Sequence, residues 1–359
     1  MKKATSIFLL GLSLLIAGGA SFAGYLWYDF SHSHGQSEKI DLTYEVKPGV
    51  NFHLISRELQ DRRLVKNADF FWLYARILGM IGKVKMGEYA LNTQMTPKEI
   101  LAILISGKSI DRAFTVAEGL NIFEIAKLYE LQGFGTAQEF VSICRDHNFI
   151  KEVLGDKIEI IPKSLEGYLF PETYRLTKFT STRALISQMV HNFQKVFGEL
   201  FSGDLPSGLT AHQVVTLASI VEKETGAPEE RPLIASVFLN RLQKNMRLQT
   251  DPTVIYAKAL ESGIVEQNIS KVDLAMEHEY NTYIIFGLPP GPISNPGKEA
   301  LSAIQAPAKS EYLYFVSQNN GTHIFSVDYK NHEKAVQEYQ VKKTHREGHS
   351  WRELRSDTK

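Results

Sequence analysis

Two glutamates, Glu222 and Glu224, close an apolar stretch that begins at Leu217 and reads Leu-Ala-Ser-Ile-Val-Glu-Lys-Glu-Thr. Thr210 followed three residues later by Gln213 is a capping-box start, and Gly226 with Pro228 is a stop, so a helix is expected between them. Leu217, Ile220 and Val221 share one face at helical spacing, and Glu224 is the next member of that stripe. A carboxyl group held among apolar neighbours keeps its proton to higher pH, which is what a general acid needs near neutrality. Glu222 lies about 200° away around the helix, at roughly 100° per residue, so the two cannot serve one site. Solvation of both is the ordinary alternative for charged residues on helices. The spacing makes Glu224 the candidate catalytic residue.

Other chemistries lack their signatures. There is no Gly-x-Ser-x-Gly elbow, no His-Glu-x-x-His, no Cys/His metal spacing and no phosphate loop. His278 sits between Glu277 and Glu279, but alternate residues of a short segment do not converge on one ion. No metal and no cofactor are expected. What accompanies Glu224 is polar and aromatic: the turn Leu248-Gln249-Thr250-Asp251-Pro252, the segment Tyr280-Asn281-Thr282-Tyr283, and the aperiodic stretch Ser164 to Tyr174 with Glu166 at its start. Leu288 to Gly297 contains four prolines and reads as a rigid loop suited to the wall of a cleft. Sugar rings are gripped by aromatic faces and by carboxylates or amides on their hydroxyls. Glu166, Gln249, Thr250, Asp251 and Asn281 are therefore candidates for hydrogen bonds to substrate, with Tyr280 and Tyr283 for stacking. This is a glycosidase-like inventory.

The elements that must position these residues make an α+β chain. Its 359 residues exceed one typical domain. Zero formal net charge argues against nucleic acid as partner, because no basic excess is available for phosphates. Helices are expected at 136–154, 180–201, 210–225, 231–242, 253–260 and 331–343, and a hairpin joins Tyr312–Ser317 to His323–Val327 through Asn319-Asn320-Gly321. The single Cys144 can form no internal disulfide.

Between Lys3 and Asp29 runs a stretch of 25 uncharged residues, about 37 Å long as a helix and sufficient to cross a bilayer. Lys2 and Lys3 precede it, which implies an N-terminus in the cytoplasm and a body outside an inner membrane. Tyr25, Trp27, Tyr28 and Phe30 read as an interfacial aromatic belt. A cleaved signal peptide ending near Ala23 is the competing reading. The expected organisation is an anchor at 1–30, a linker at 31–40, a module at 41–112, a catalytic body at 113–343 and a tail at 344–359.

A repeat follows the linker. Val46, Gly49, Asn51 and Ile55 recur at an offset of 70 as Val116, Gly119, Asn121 and Ile125. Each copy reads as a strand, a glycine turn and a helix capped by asparagine. Beyond the first, a helix at 68–81 and a strand at 85–91 complete a strand–helix–helix–strand arrangement of Val46 to Leu91 that resembles LysM-type modules, which bind N-acetylglucosamine chains, and a capped helix opens at Thr96. A small α+β spacer is the alternative.

Six stretches in order carry a wider resemblance. Ala218 to Thr225, Ala235 to Leu242, Arg247 to Tyr256, Tyr280 to Tyr283, Gly287 to Ile293 and Tyr312 to Val316 are similar to those of the YceG-like endolytic murein transglycosylases. The resemblance implies cleavage of MurNAc–GlcNAc bonds within nascent peptidoglycan strands to leave 1,6-anhydro ends, with glycan strands, the membrane and peptidoglycan synthases as partners. Glu224-Thr225 also matches the Glu-Ser of lysozyme-like lytic transglycosylases. Two other readings stay open: a muramidase-type hydrolase in which Asp251 or Glu166 activates water, and a non-catalytic wall-binding scaffold.

Overall fold

The structure, a computed structural model, describes residues 17–341 apart from 26, 37, 156–160, 204 and 267. The expected tail at 344–359 lies outside the described residues. The fold is mixed α+β and divides into two compact units, Met1–Arg112 with Arg175–Thr180, and Ala113–Tyr174 with Ser181–Lys359.

In the first unit, β1 (Asp41–Val46), α1 (Phe52–Asp61), α2 (Ala68–Ile77) and β2 (Gly87–Asn92) form a strand–helix–helix–strand array whose strands pair antiparallel from Asp41↔Asn92 to Val46↔Gly87. Asn51 caps α1 by accepting from the His53 N–H, and Asn67 caps α2 by accepting from the Phe70 N–H. The helix α3 (Pro97–Ser106) carries the full Thr96/Glu99 capping box and stops at Gly107, which takes φ +70°. Tyr44, Leu59, Phe71, Tyr89, Ile100 and Leu104 are buried between the layers.

The expected single-pass anchor in an inner membrane requires correction. No helix among the described residues is long and apolar enough to cross a membrane, and the first part of the expected span, 1–16, lies outside them. Residues 17–25 and 27–32 are helical. Two rings of the expected interfacial belt are instead packed on protein: Trp27 lies 4.8 Å from Tyr74, and Phe30, 8% exposed, lies 5.8 Å from Phe70. Aromatic residues at the end of an apolar run serve a protein core as readily as a lipid interface.

The second unit begins with β3 (Arg112–Thr115), α4 (Ile122–Leu131), α5 (Ala137–Cys144) and α6 (His147–Leu154), and returns through β4 (Thr173–Leu176) to pair with β3. The one helix expected over 136–154 is two, because Asp146 starts a new cap by accepting from the Asn148 and Phe149 N–H groups. Then come α7 (Thr182–Leu200), α8 (Ala211–Glu224), α9 (Arg231–Gln243), α10 (Asp251–Ser262) and α11 (Lys298–Gln305), followed by the hairpin β5 (Tyr314–Ser317)–β6 (His323–Ser326) and α12 (Tyr329–Val336).

The helix α8 packs on α9, α10 and α11. Every residue from Val214 to Glu222 is buried, so it is a central helix rather than the one-sided amphipathic helix the spacing suggests. Its polar side is covered by the proline loop: Ser219 Oγ accepts from the Ile293 N–H at 3.0 Å, and Ser294 Oγ donates to the Ser219 carbonyl at 3.1 Å. A helix covered on all sides gives its C-terminal residue a fixed position.

Candidate active site

Glu224 is the last residue of α8, with Thr225 already extended at φ −133°. The helix stops there because Gly226 and Pro228 cannot continue it. Its carboxyl is pushed up to about 7, first by burial and then by the negative charge of Asp251, while a hydrogen bond from the Thr250 hydroxyl and the Arg241 cation pull the other way. The negative end of the helix dipole adds to the upward push. Glu222, two residues earlier, meets a different fate. It is buried, accepts from Arg231 Nη2 at 3.0 Å and from the Gly297 N–H at 3.1 Å, and has no solvated side. That ion pair fastens α8 to the start of α9, and the bond from Gly297 fastens it to the start of α11.

The turn that faces Glu224 is held by threonines. The Gln249 N–H donates to the Thr282 carbonyl at 3.1 Å, the Thr250 N–H to the Thr282 hydroxyl at 3.1 Å, and the Thr253 and Thr282 hydroxyls pair at 2.9 Å. Gln249 takes φ +48°, a left-handed conformation that a non-glycine residue adopts only when its surroundings impose it. This twist sets the Thr250 hydroxyl against Glu224 and starts α10 at Asp251. Tyr283 donates its hydroxyl to Asp251 Oδ1 at 2.6 Å. Arg241, at the end of α9, is clamped by two carbonyls, Nε to Leu313 O at 2.7 Å and Nη1 to Leu248 O at 2.5 Å.

Glu224, Gln249, Asp251 and Tyr283 line one cleft of about 350 Å³, with Thr250 buried behind them. Glu166, Tyr280 and Asn281 do not line it. Glu166 is 1% exposed and accepts from the Ile122 N–H at 3.1 Å and from the Asn295 amide at 3.0 Å. Burial pushes its carboxyl up to about 8, and it lies outside the cleft that holds Glu224. Asn281, fully buried, spends its amide on the Leu274 and Met276 carbonyls at 3.1 and 2.8 Å. Tyr280 packs on Tyr256 at 5.2 Å. Among the described residues no group of three His, Cys, Asp or Glu could hold a metal ion.

Five further residues line the cleft: Arg241, Tyr314, Phe315, Tyr329 and His332. The hairpin signal marks Tyr312–Ser317 as a strand, but nothing local indicates which face meets the cleft. His332 and Tyr329 sit at the start of a charged helix, expected from 331 and observed from Tyr329.

The family model of the YceG-like family matches residues 44–338. The "Endolytic murein transglycosylase" of Bacillus subtilis (strain 168) is 31% identical over 338 residues, covering 90% of this chain and 91% of that protein. The protein of the same name from Streptococcus pneumoniae serotype 2 is 31% identical over 359 residues and covers 92% of this chain, which spans 64% of the pneumococcal protein's length. A crystal structure of a YceG-like protein from Listeria monocytogenes superposes with a TM-score of 0.53 at 32% identity, over 83% of this chain and all of that one. The chain belongs to the YceG-like family.

Proposed function

We propose that this protein is an endolytic lytic transglycosylase, cutting MurNAc-β-1,4-GlcNAc bonds inside peptidoglycan strands and leaving 1,6-anhydro-MurNAc ends. The observation that carries the reading is Glu224, a single carboxyl poised near neutrality at the rigid end of a buried helix and open to a polar cleft. Protonated Glu224 gives its proton to the glycosidic oxygen as the bond from C1 breaks through an oxocarbenium-like state. The resulting carboxylate takes the proton of the sugar's own C6 hydroxyl, whose oxygen closes on C1. Asp251 favours the protonated form needed first, and Arg241 favours the carboxylate needed second. Gln249, Thr250, Asp251 and Tyr283 are assigned to holding the sugar and the acid in register. Action on nascent strands would put the enzyme beside the synthases that extrude them.

Residues 41–112 are read as a LysM-like glycan-binding module and 113–343 as the catalytic body. Supporting the first is a groove of about 540 Å³ between the Val46–Phe52 turn and Ile81–Met86.

Glu224→Gln should lower turnover about 10³-fold with the fold unchanged, and mass spectrometry of digested strands should show anhydro ends only from the unmodified enzyme. Because Glu224 must enter the reaction protonated, kcat/KM should fall about tenfold per pH unit above pH 7. Full activity in the Glu224→Gln variant would sink the assignment. Asp251 lies in the same cleft and could instead activate water, and reducing ends in place of anhydro ends would decide for that hydrolase.

A further inference from the structure

We infer that Tyr314, Tyr329 and His332 form a preorganised wall in the Glu224 cleft on which one amino-sugar ring of the substrate stacks. The inference rests on the proposed function for the identity of that ring. The three rings pack on one another: Tyr314 and His332 are stacked at 5.2 Å and 23°, Tyr314 meets Tyr329 edge-on at 5.9 Å, and Tyr329 lies 6.2 Å from His332. The Arg241 guanidinium sits 5.4 Å over the Tyr314 ring. Two backbone carbonyls hold that guanidinium, so the wall is fixed before any ligand arrives, and little ordering entropy remains to be lost on binding.

Tyr329 remains 62% exposed although it belongs to this cluster. A large ring left open over a polar cleft offers a π-face, while Asp251 and Gln249 offer hydrogen-bonding groups in the same space. That pairing suits an amphipathic ring with C–H bonds on its face and hydroxyls on its rim better than it suits a purely apolar ligand.

His332 adds a directional contact. Its Nδ1 is buried without a hydrogen-bond partner. Burial and the Arg241 cation keep the imidazole neutral, so only one ring nitrogen carries a proton. An orphaned buried N–H is rarer than an orphaned acceptor, which assigns the proton to Nε2. That atom has no partner among the described residues and is the donor available to a sugar oxygen.

The test uses the full chain and glycan strands stripped of stem peptides. Tyr329→Ala should raise KM roughly five- to tenfold while kcat stays within about twofold and the pH profile is unmoved; Tyr329→Phe and Tyr329→Trp should restore KM. A second arm, independent of turnover, places Tyr329→Trp in the Glu224→Gln chain, where emission should change saturably as strands are added, relative to Glu224→Gln alone. Unchanged KM in Tyr329→Ala, or no emission change, overturns the wall. An emission change in a protein whose unmodified form releases no anhydro ends keeps the wall and removes the proposed function.

Discussion

Gly49 and Gly119 occupy the same place in two copies of one motif, and their surroundings are opposite. Both follow a strand, both take left-handed φ (+70° and +76°), and both lead into a ten-residue helix capped by asparagine. Both copies also go on through further helices to a second strand that pairs with the first. Around Gly49 a methyl group would meet nothing within 4 Å, and its turn lines an open groove. Around Gly119 the later chain has moved in. The Gly119 N–H donates to the Asn295 carbonyl at 2.9 Å, the Asn295 N–H returns to the Leu120 carbonyl at 2.9 Å, and Lys223 Nζ donates to the Gly119 carbonyl at 3.0 Å. Lys223 is the residue before the candidate acid. The first copy is left open, whereas the second has accepted its own chain and become a seat for the end of α8.

Breaking the seat should have the largest effect. Asn295 is fully buried; its side chain accepts from the Leu169 N–H at 2.8 Å and donates to Leu120 O and Glu166. Asn295→Ala would strand these groups without water, a loss of about 3 kcal/mol. Calorimetry should show melting of the second unit fall by roughly 6–12 °C, with turnover reduced as well. A shift under about 2 °C would mean that the second turn is not held by this residue.

The contrast also shows where reading a sequence stops. The caps at Asn51, Thr96, Asn121 and Thr210, and the stops at Gly107 and Gly226, are local chemistry and could be read directly. The same holds for the repeat; Glu224 stands out through the spacing of its own helix, but the groups that act on its carboxyl, Thr250, Asp251 and Arg241, come from elsewhere in the chain. Glu166 and Asn281 look like substrate ligands from composition alone, because a polar residue among aromatics has the same appearance whether it faces a sugar or a buried backbone. What decides is Asn295, 129 residues from Glu166, and the Leu274 and Met276 carbonyls, which no period encodes. Arg241, Tyr314 and His332 meet through β5, which packs on both α9 and α12, so their convergence is long-range. Trp27 and Phe30 failed as a membrane belt for the same reason.

A smaller, sharper probe is the matched pair Gly49→Ala and Gly119→Ala. Each forces a side chain into left-handed backbone, at a cost of about 1 kcal/mol. The methyl at 119 would meet Glu222 Cγ at 3.4 Å and Lys223 Cδ at 3.6 Å, which is ordinary contact and adds no clash. Denaturant titrations should therefore give nearly equal losses for the two variants. Catalysis should separate them, with kcat lowered about twofold at 119 and unchanged at 49. Equal kcat effects would mean that the two turns are not functionally distinct.

The gentlest perturbation tests the open copy alone. Met86 lines the first groove and is 53% exposed, so Met86→Asp should leave stability within about 0.5 kcal/mol. It removes an apolar contact from the groove and adds a charge there. If the groove holds glycan, the module raises the local concentration of strand near the catalytic body, and its loss appears only with substrates long enough to reach both. KM for polymeric strands should then rise about two- to threefold, while kcat and KM for short oligomers stay as they were. Equal loss on long and short substrates would place the effect in the cleft instead, and the open copy would then be a spacer like any other small α+β unit.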